Sequence, residues 1–81
     1  MTVELFNQEF ESIAGQLKSY LLRITASIAD AEDITHDTYI KGLEKRETFR
    51  GESSLKTWLF TIASNRCLRA FQHLQRFKFL C

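Results

Sequence analysis

Residues 49–65, FRGESSLKTWLFTIASN, decide the fold. Arg50, Gly51, Glu52 and Ser53 make a short polar loop, because glycine and small polar side chains suit tight turns. Ser53 or Ser54 then caps a helix, its hydroxyl accepting from one of the orphan amides of the first turn. Leu55, Trp58, Leu59, Ile62 and Ala63 recur at helical spacing and form one apolar stripe, which points at a core. A second row, through Thr61, Asn65, Arg69, Gln72 and Arg76, carries no acid. One helix thus packs on one side and presents a polar, basic row on another.

Upstream, DAEDITHDTYIKGL at Asp30 to Leu43 predicts a second helix. Asp30 reads as its N-cap, with Glu32 and Asp33 in a first turn where carboxylates favour the helix dipole. The helix spans about residues 30–46, and Ser27 to Ala29 links it to the one before. Ala31, Ile34, Thr38 and Leu43 point inward, while Asp33, His36, Asp37 and Ile40 share a neighbouring strip. Further upstream, Phe6, Phe10, Ile13, Leu17, Leu21 and Ile24 alternate by fours and threes, which predicts a first helix over about 5–26.

The third helix is expected over about 54–75, following a loop at 49–53. Its apolar stripe drifts after Asn65 towards Cys67, Phe71 and Leu74, which implies either a bend or a second packing contact. The tail RFKFLC places two phenylalanines beside Arg76 and Lys78 and ends in a thiol. Such a segment packs on a neighbour, promotes self-association or continues into further sequence.

Eighty-one residues suffice for one small core. With no proline, three glycines and long periodic segments, the expected class is all-α: a compact three-helix bundle, or four helices if the third bends. Cys67 and Cys81 are too few for a disulfide framework and sit in no metal-ligand spacing, which favours a reduced, cytoplasmic setting without a metal or other cofactor. No segment approaches the roughly 18 apolar residues of a membrane span. A net charge of +1 hides a division: Met1 to Glu47 has five Lys/Arg against nine Asp/Glu, a balance of −4, whereas Thr48 to Cys81 has six against one, a balance of +5. Two partners of opposite character fit that division.

Catalysis has little to work with. His36 and Asp37 are sequence neighbours on different azimuths of a helix, and no partnered nucleophile, phosphate-cradling glycine loop or metal spacing accompanies them. Nucleic-acid binding has more. Arg50, Lys56, Arg66, Arg69, Arg76 and Lys78 suit phosphates, and Phe49, Trp58 and Phe60 lie near the same loop and helix. Trp58 also belongs to the core side, so at least half of it should be buried. Phe60 fits either role.

The acidic helix and the loop followed by TWLFTIASN resemble region 2 of bacterial sigma factors of the extracytoplasmic-function group, and with the first helix the likeness covers nearly the whole chain. The resemblance implies a promoter-recognition domain without chemistry of its own. Its second helix would dock on the clamp helices of the largest subunit of core RNA polymerase, with Asp33 and Asp37 at the acidic positions, Ile40 beside them, and His36 where glutamine is usual. The loop Arg50, Gly51, Glu52, Ser53 and Ser54 would hold one flipped base of the non-template minus-ten strand. Asn65 would read a neighbouring base edge, since an amide donates and accepts at once. Lys56, Thr61, Arg69, Gln72 and Arg76 would complete the DNA-facing set, with Arg69 where an acid or asparagine is frequent. An anti-sigma factor would be a further partner. The group's second promoter-binding domain, region 4, has no counterpart in this stretch, which reads as one domain of a longer protein. The alternative is a helical protein-interaction module that binds polymerase or an anti-sigma protein without reading DNA.

Overall fold

The computed structural model describes the backbone of residues 1–80 and the side chains of residues 1–69. Three helices, α1 (Val3–Thr25), α2 (Ile28–Glu44) and α3 (Leu55–Leu80), follow one another, with a single 3-10 turn at Arg46–Thr48. The fold is all-α. The third helix runs unbroken through the positions where its stripe drifts, so it does not divide into a fourth.

Thr2 starts α1 earlier than the apolar pattern suggests, its hydroxyl accepting from the Leu5 amide at 3.1 Å. Phe6, Phe10, Ile13, Leu17 and Leu21 are buried. Ile24, expected on the same stripe, is exposed, because α1 ends one residue later and the chain turns away. That turn departs from the expected link. Ala26 adopts φ 55° and donates its amide to the Leu22 carbonyl at 2.8 Å, and Ser27, not Asp30, caps α2 by accepting from the Asp30 amide at 3.2 Å. Asp30 therefore lies inside the first turn, where its charge still meets the helix dipole.

α2 contributes Ala31, Ile34 and Thr38 to the interior, and α3 contributes Leu59, Ala63 and Cys67. Thr38 is buried without cost to hydrogen bonding, since its hydroxyl donates to the Ile34 carbonyl at 2.7 Å. Tyr39 lays its ring against Phe6 and Phe10 at 5.8 and 5.1 Å and donates its hydroxyl to Asn7 Oδ1 at 2.6 Å. Each fully buried Phe or Leu stabilises the bundle by about 1.5–3 kcal/mol. At Gly42, α2 packs directly against side chains from α1 and α3. A Cβ built there would stand 2.9 Å from both Leu59 Cδ2 and Phe6 Cζ, and both of those side chains are fully buried.

Candidate nucleic-acid interface

The segment between α2 and α3 is held at both ends. Thr48 donates its amide and hydroxyl to the Lys45 carbonyl at 2.9 and 2.7 Å, and the Arg46 guanidinium donates through Nη1 to the Leu43 carbonyl at 2.7 Å. Phe49 leaves the 3-10 turn and packs its ring against Trp58, tilted by 48° with centroids 5.3 Å apart, so the aromatic that closes the loop rests on the helix that follows. Trp58 is more than half buried, as its place beside the core requires. Gly51 adopts φ +75°, a conformation that side-chain-bearing residues rarely take, and this lets the loop reverse. Ser54 provides the cap: its Oγ accepts from the Thr57 amide at 3.1 Å and lies 2.9 Å from Thr57 Oγ1.

Arg50, Gly51, Glu52, Ser53 and Ser54 are all exposed, and the chain places them side by side. Ser54 is committed to the cap, and the Ser53 hydroxyl donates to the Ser54 carbonyl at 3.3 Å. From there Thr57, Thr61, Asn65 and Arg69 climb α3 at intervals of four, all exposed. Thr61 uses its hydroxyl proton internally, donating to the Thr57 carbonyl at 2.9 Å. Among the described residues the Asn65 amide has no hydrogen-bond partner. Gln72 and Arg76 continue the row by helical spacing, but their side chains, like those of Lys78 and the RFKFLC tail, lie outside the described residues.

Asn65 stands where two surface grooves meet. One, on the loop side, is lined by Lys56, Thr57, Phe60, Thr61 and Ser64 together with Asn65. Phe60 is part of the surface as well as of the packing: its ring lies 5.2 Å from that of Tyr20, with Lys56 Nζ 5.7 Å from its centroid. The other groove runs between α2 and α3 and includes Asp37, Lys41, Lys45, Asn65, Arg66 and Arg69.

The acidic strip of α2 is only partly free. Asp33, His36 and Ile40 are exposed, whereas Asp37 accepts from Arg66 Nε at 3.0 Å, its side chain 34% exposed. Arg66, counted from sequence among the phosphate-binding cations, is thus engaged with an acid from the neighbouring helix. The two residues stand 29 positions apart, and no helical periodicity relates them. Lys41 and Lys45, which the sequence reading left out of the interface, join it from α2. Their i, i+4 spacing was the available signal.

A family model described as Sigma-70 region 2 matches residues 10–77. The chain is 38% identical over 71 residues to the ECF RNA polymerase sigma factor SigG of Mycobacterium tuberculosis, an alignment that covers 88% of this chain and 19% of that protein. It is 33% identical over 76 residues to the RNA polymerase sigma factor YlaC of Bacillus subtilis, covering 94% and 42%. Among solved structures, a chain in the co-crystal structure of the sigma factor RpoE with the anti-sigma factor NepR from Bartonella quintana superposes with a TM-score of 0.83 at 31% identity, covering 91% of this chain and 46% of that one. The chain therefore spans less than half the length of each of these relatives.

Proposed function

Because the chain belongs to the Sigma-70 region 2 family, in the extracytoplasmic-function group, we propose that it is a promoter-recognition domain that works within RNA polymerase and has no chemistry of its own. In this reading α2 docks on the clamp helices of core polymerase through Asp33, His36, Asp37 and Ile40. The loop at Arg50–Ser54 and the outward row of α3 hold the melted non-template strand of the minus-ten element, and the loop takes one flipped base. Extruding a base costs a few kcal/mol, which stacking and hydrogen bonds in the complex must return.

One observation carries the reading: Asn65 presents an amide without a hydrogen-bond partner among the described residues, on an exposed row with Thr57, Thr61 and Arg69 that holds no carboxylate. An amide so placed can donate to and accept from a base edge, while Arg69 and Lys56 supply positive charge nearby. Asp37 enters polymerase docking already paired, so a cation of the partner must share or replace Arg66. An anti-sigma protein is a further proposed partner, by analogy with the complex in which the similar RpoE chain was solved.

A band-shift titration of the chain assembled with core polymerase tests the proposal. A duplex with a pre-melted minus-ten element should be retained more tightly than one with that element scrambled. Equal retention, with polymerase still bound, would instead favour an interaction module that does not read DNA.

A further inference from the structure

A third hollow, between α1 and α3, adjoins the loop-side groove and is used neither by the loop nor by Asn65. Lys56 and Phe60 line both, so the two surfaces meet along one ridge of α3. From α1 the hollow takes Gly15, Gln16, Tyr20 and Arg23. Its aromatic surface is held in place: the Tyr20 and Phe60 rings lie 5.2 Å apart, and the Tyr20 hydroxyl is 3.2 Å from Ser64 Oγ, which ties that ring to α3. Arg23 and Lys56 give it positive charge, and its lining holds no carboxylate. Gly15 gives it space. This glycine stands inside a 23-residue helix, where alanine is the better helix former, and a Cβ built on it would meet nothing within 4 Å. Internal packing therefore does not call for the missing side chain. An aromatic surface flanked by cations, with open space over it, suits a planar base on a phosphate-linked chain.

We propose that the α1–α3 hollow takes a second unstacked base of the melted strand, distinct from the one held by the loop at Arg50–Ser54 and from the one read by Asn65, which is not in its lining. Tyr20 and Phe60 stack on this base, and Arg23 and Lys56 hold the phosphates beside it. The exposed Gln16 amide donates to and accepts from its edge. The inference rests on reading the loop and the outward row of α3 as strand-facing, and it extends that surface onto α1. A strand fits better than a peptide because the hollow is continuous, through Lys56 and Phe60, with the surface proposed to carry that strand.

The test is a scan of single strands carrying the minus-ten element, with one nucleotide at a time replaced by an abasic sugar, bound to the chain assembled with core polymerase. One of the sensitive positions should lose roughly tenfold in affinity, as expected for one stacked base, and should stay sensitive in Asn65→Ala. Gly15→Leu puts a side chain into the open space, so that position alone should become indifferent to base removal while the others keep their losses. Thermal melts should place Gly15→Leu and Gly15→Ala at or above the parent, since both residues form helix better than glycine. Arg23, exposed on α1, gives a second reading: Arg23→Gln should lower the slope of log affinity against log salt by about 0.7. A scan in which no sensitive position responds to Gly15→Leu, or in which that variant weakens every position alike, would overturn the proposal. So would weaker assembly of Gly15→Leu with polymerase and an unchanged scan, which would assign the hollow to a protein segment. Failure of the wider strand-reading account has a separate signature: a scan of the parent chain in which no position is sensitive.

Discussion

The two sides of α3 share a period and little else. Leu59, Ala63 and Cys67 repeat every four residues and are buried, while Thr57, Thr61, Asn65 and Arg69 repeat every four residues and are exposed. On the first side each atom is surrounded by α1 and α2, so a change is felt as a packing defect. On the second, the side-chain tips make few bonds among the described residues: the Thr57 hydroxyl meets the capping Ser54, and the Thr61 hydroxyl bonds its own helix. On the proposed reading, stability and recognition are therefore separable along a single helix. Ser54 sets its amino-terminal boundary, and the position of the stripe decides which side is which.

The sharpest way to break the comparison is to damage the buried side. Leu59→Ala should destabilise the domain by about 2–5 kcal/mol, measured by urea unfolding, because a fully buried side chain leaves a cavity between three helices. A domain of this size has only about 4–12 kcal/mol in total, so a large part of the population could unfold. A loss below about 1 kcal/mol would mean that α3 is not fixed by the core as described.

Gly42→Ala sharpens the same point from α2. Alanine is the better helix former by about 1 kcal/mol, yet its methyl would press on Phe6 and Leu59, both fully buried. The expected balance is a loss of about 1–2 kcal/mol. A stabilised Gly42→Ala variant would show that the helices stand farther apart than the packing requires.

The smallest effect belongs to the α1–α2 corner. Ala26 holds a left-handed conformation that costs a residue with a Cβ, and Ala26→Gly should raise stability by about 0.5 kcal/mol after the added freedom of the unfolded chain is counted. Thermal melts of the two forms would resolve the direction. A clear loss would indicate that the Ala26 methyl makes a contact that outweighs the strain.

That corner also shows where sequence reasoning stops. The stripe from Phe6 to Leu21 was legible because burial imposes a helical period on the choice of residue, and the start of α3 was legible because a serine before an apolar run has a definite capping role. The start of α2 was not. A left-handed alanine carries none of the glycine signal that usually marks a helix end, and Asp30 and Ser27 are both good caps, so the backbone turn alone chose between them. The outward row containing Asn65 could be drawn on a helical wheel. The engagement of Arg66 by Asp37 could not, since it depends on how two helices lie together, and the entry of Lys41 and Lys45 into the same groove has that origin too.

The central claim is that the outward side of α3 reads a strand while its inward side holds the fold. The most direct measurement compares Asn65→Ala and Arg69→Ala in assembled polymerase, recording affinity for the preferred and a scrambled non-template strand at several salt concentrations. Asn65→Ala should lose roughly 1–3 kcal/mol on the preferred strand, little on the scrambled one, and keep its salt slope. Arg69→Ala should weaken both strands alike and reduce the slope by about 0.7, as the loss of one phosphate contact requires. The melting temperature of the free domain should stay close to that of the parent in both. If Asn65→Ala instead lowers the melting temperature sharply and weakens the two strands equally, Asn65 serves the fold, and the division between the two sides of α3 is contradicted.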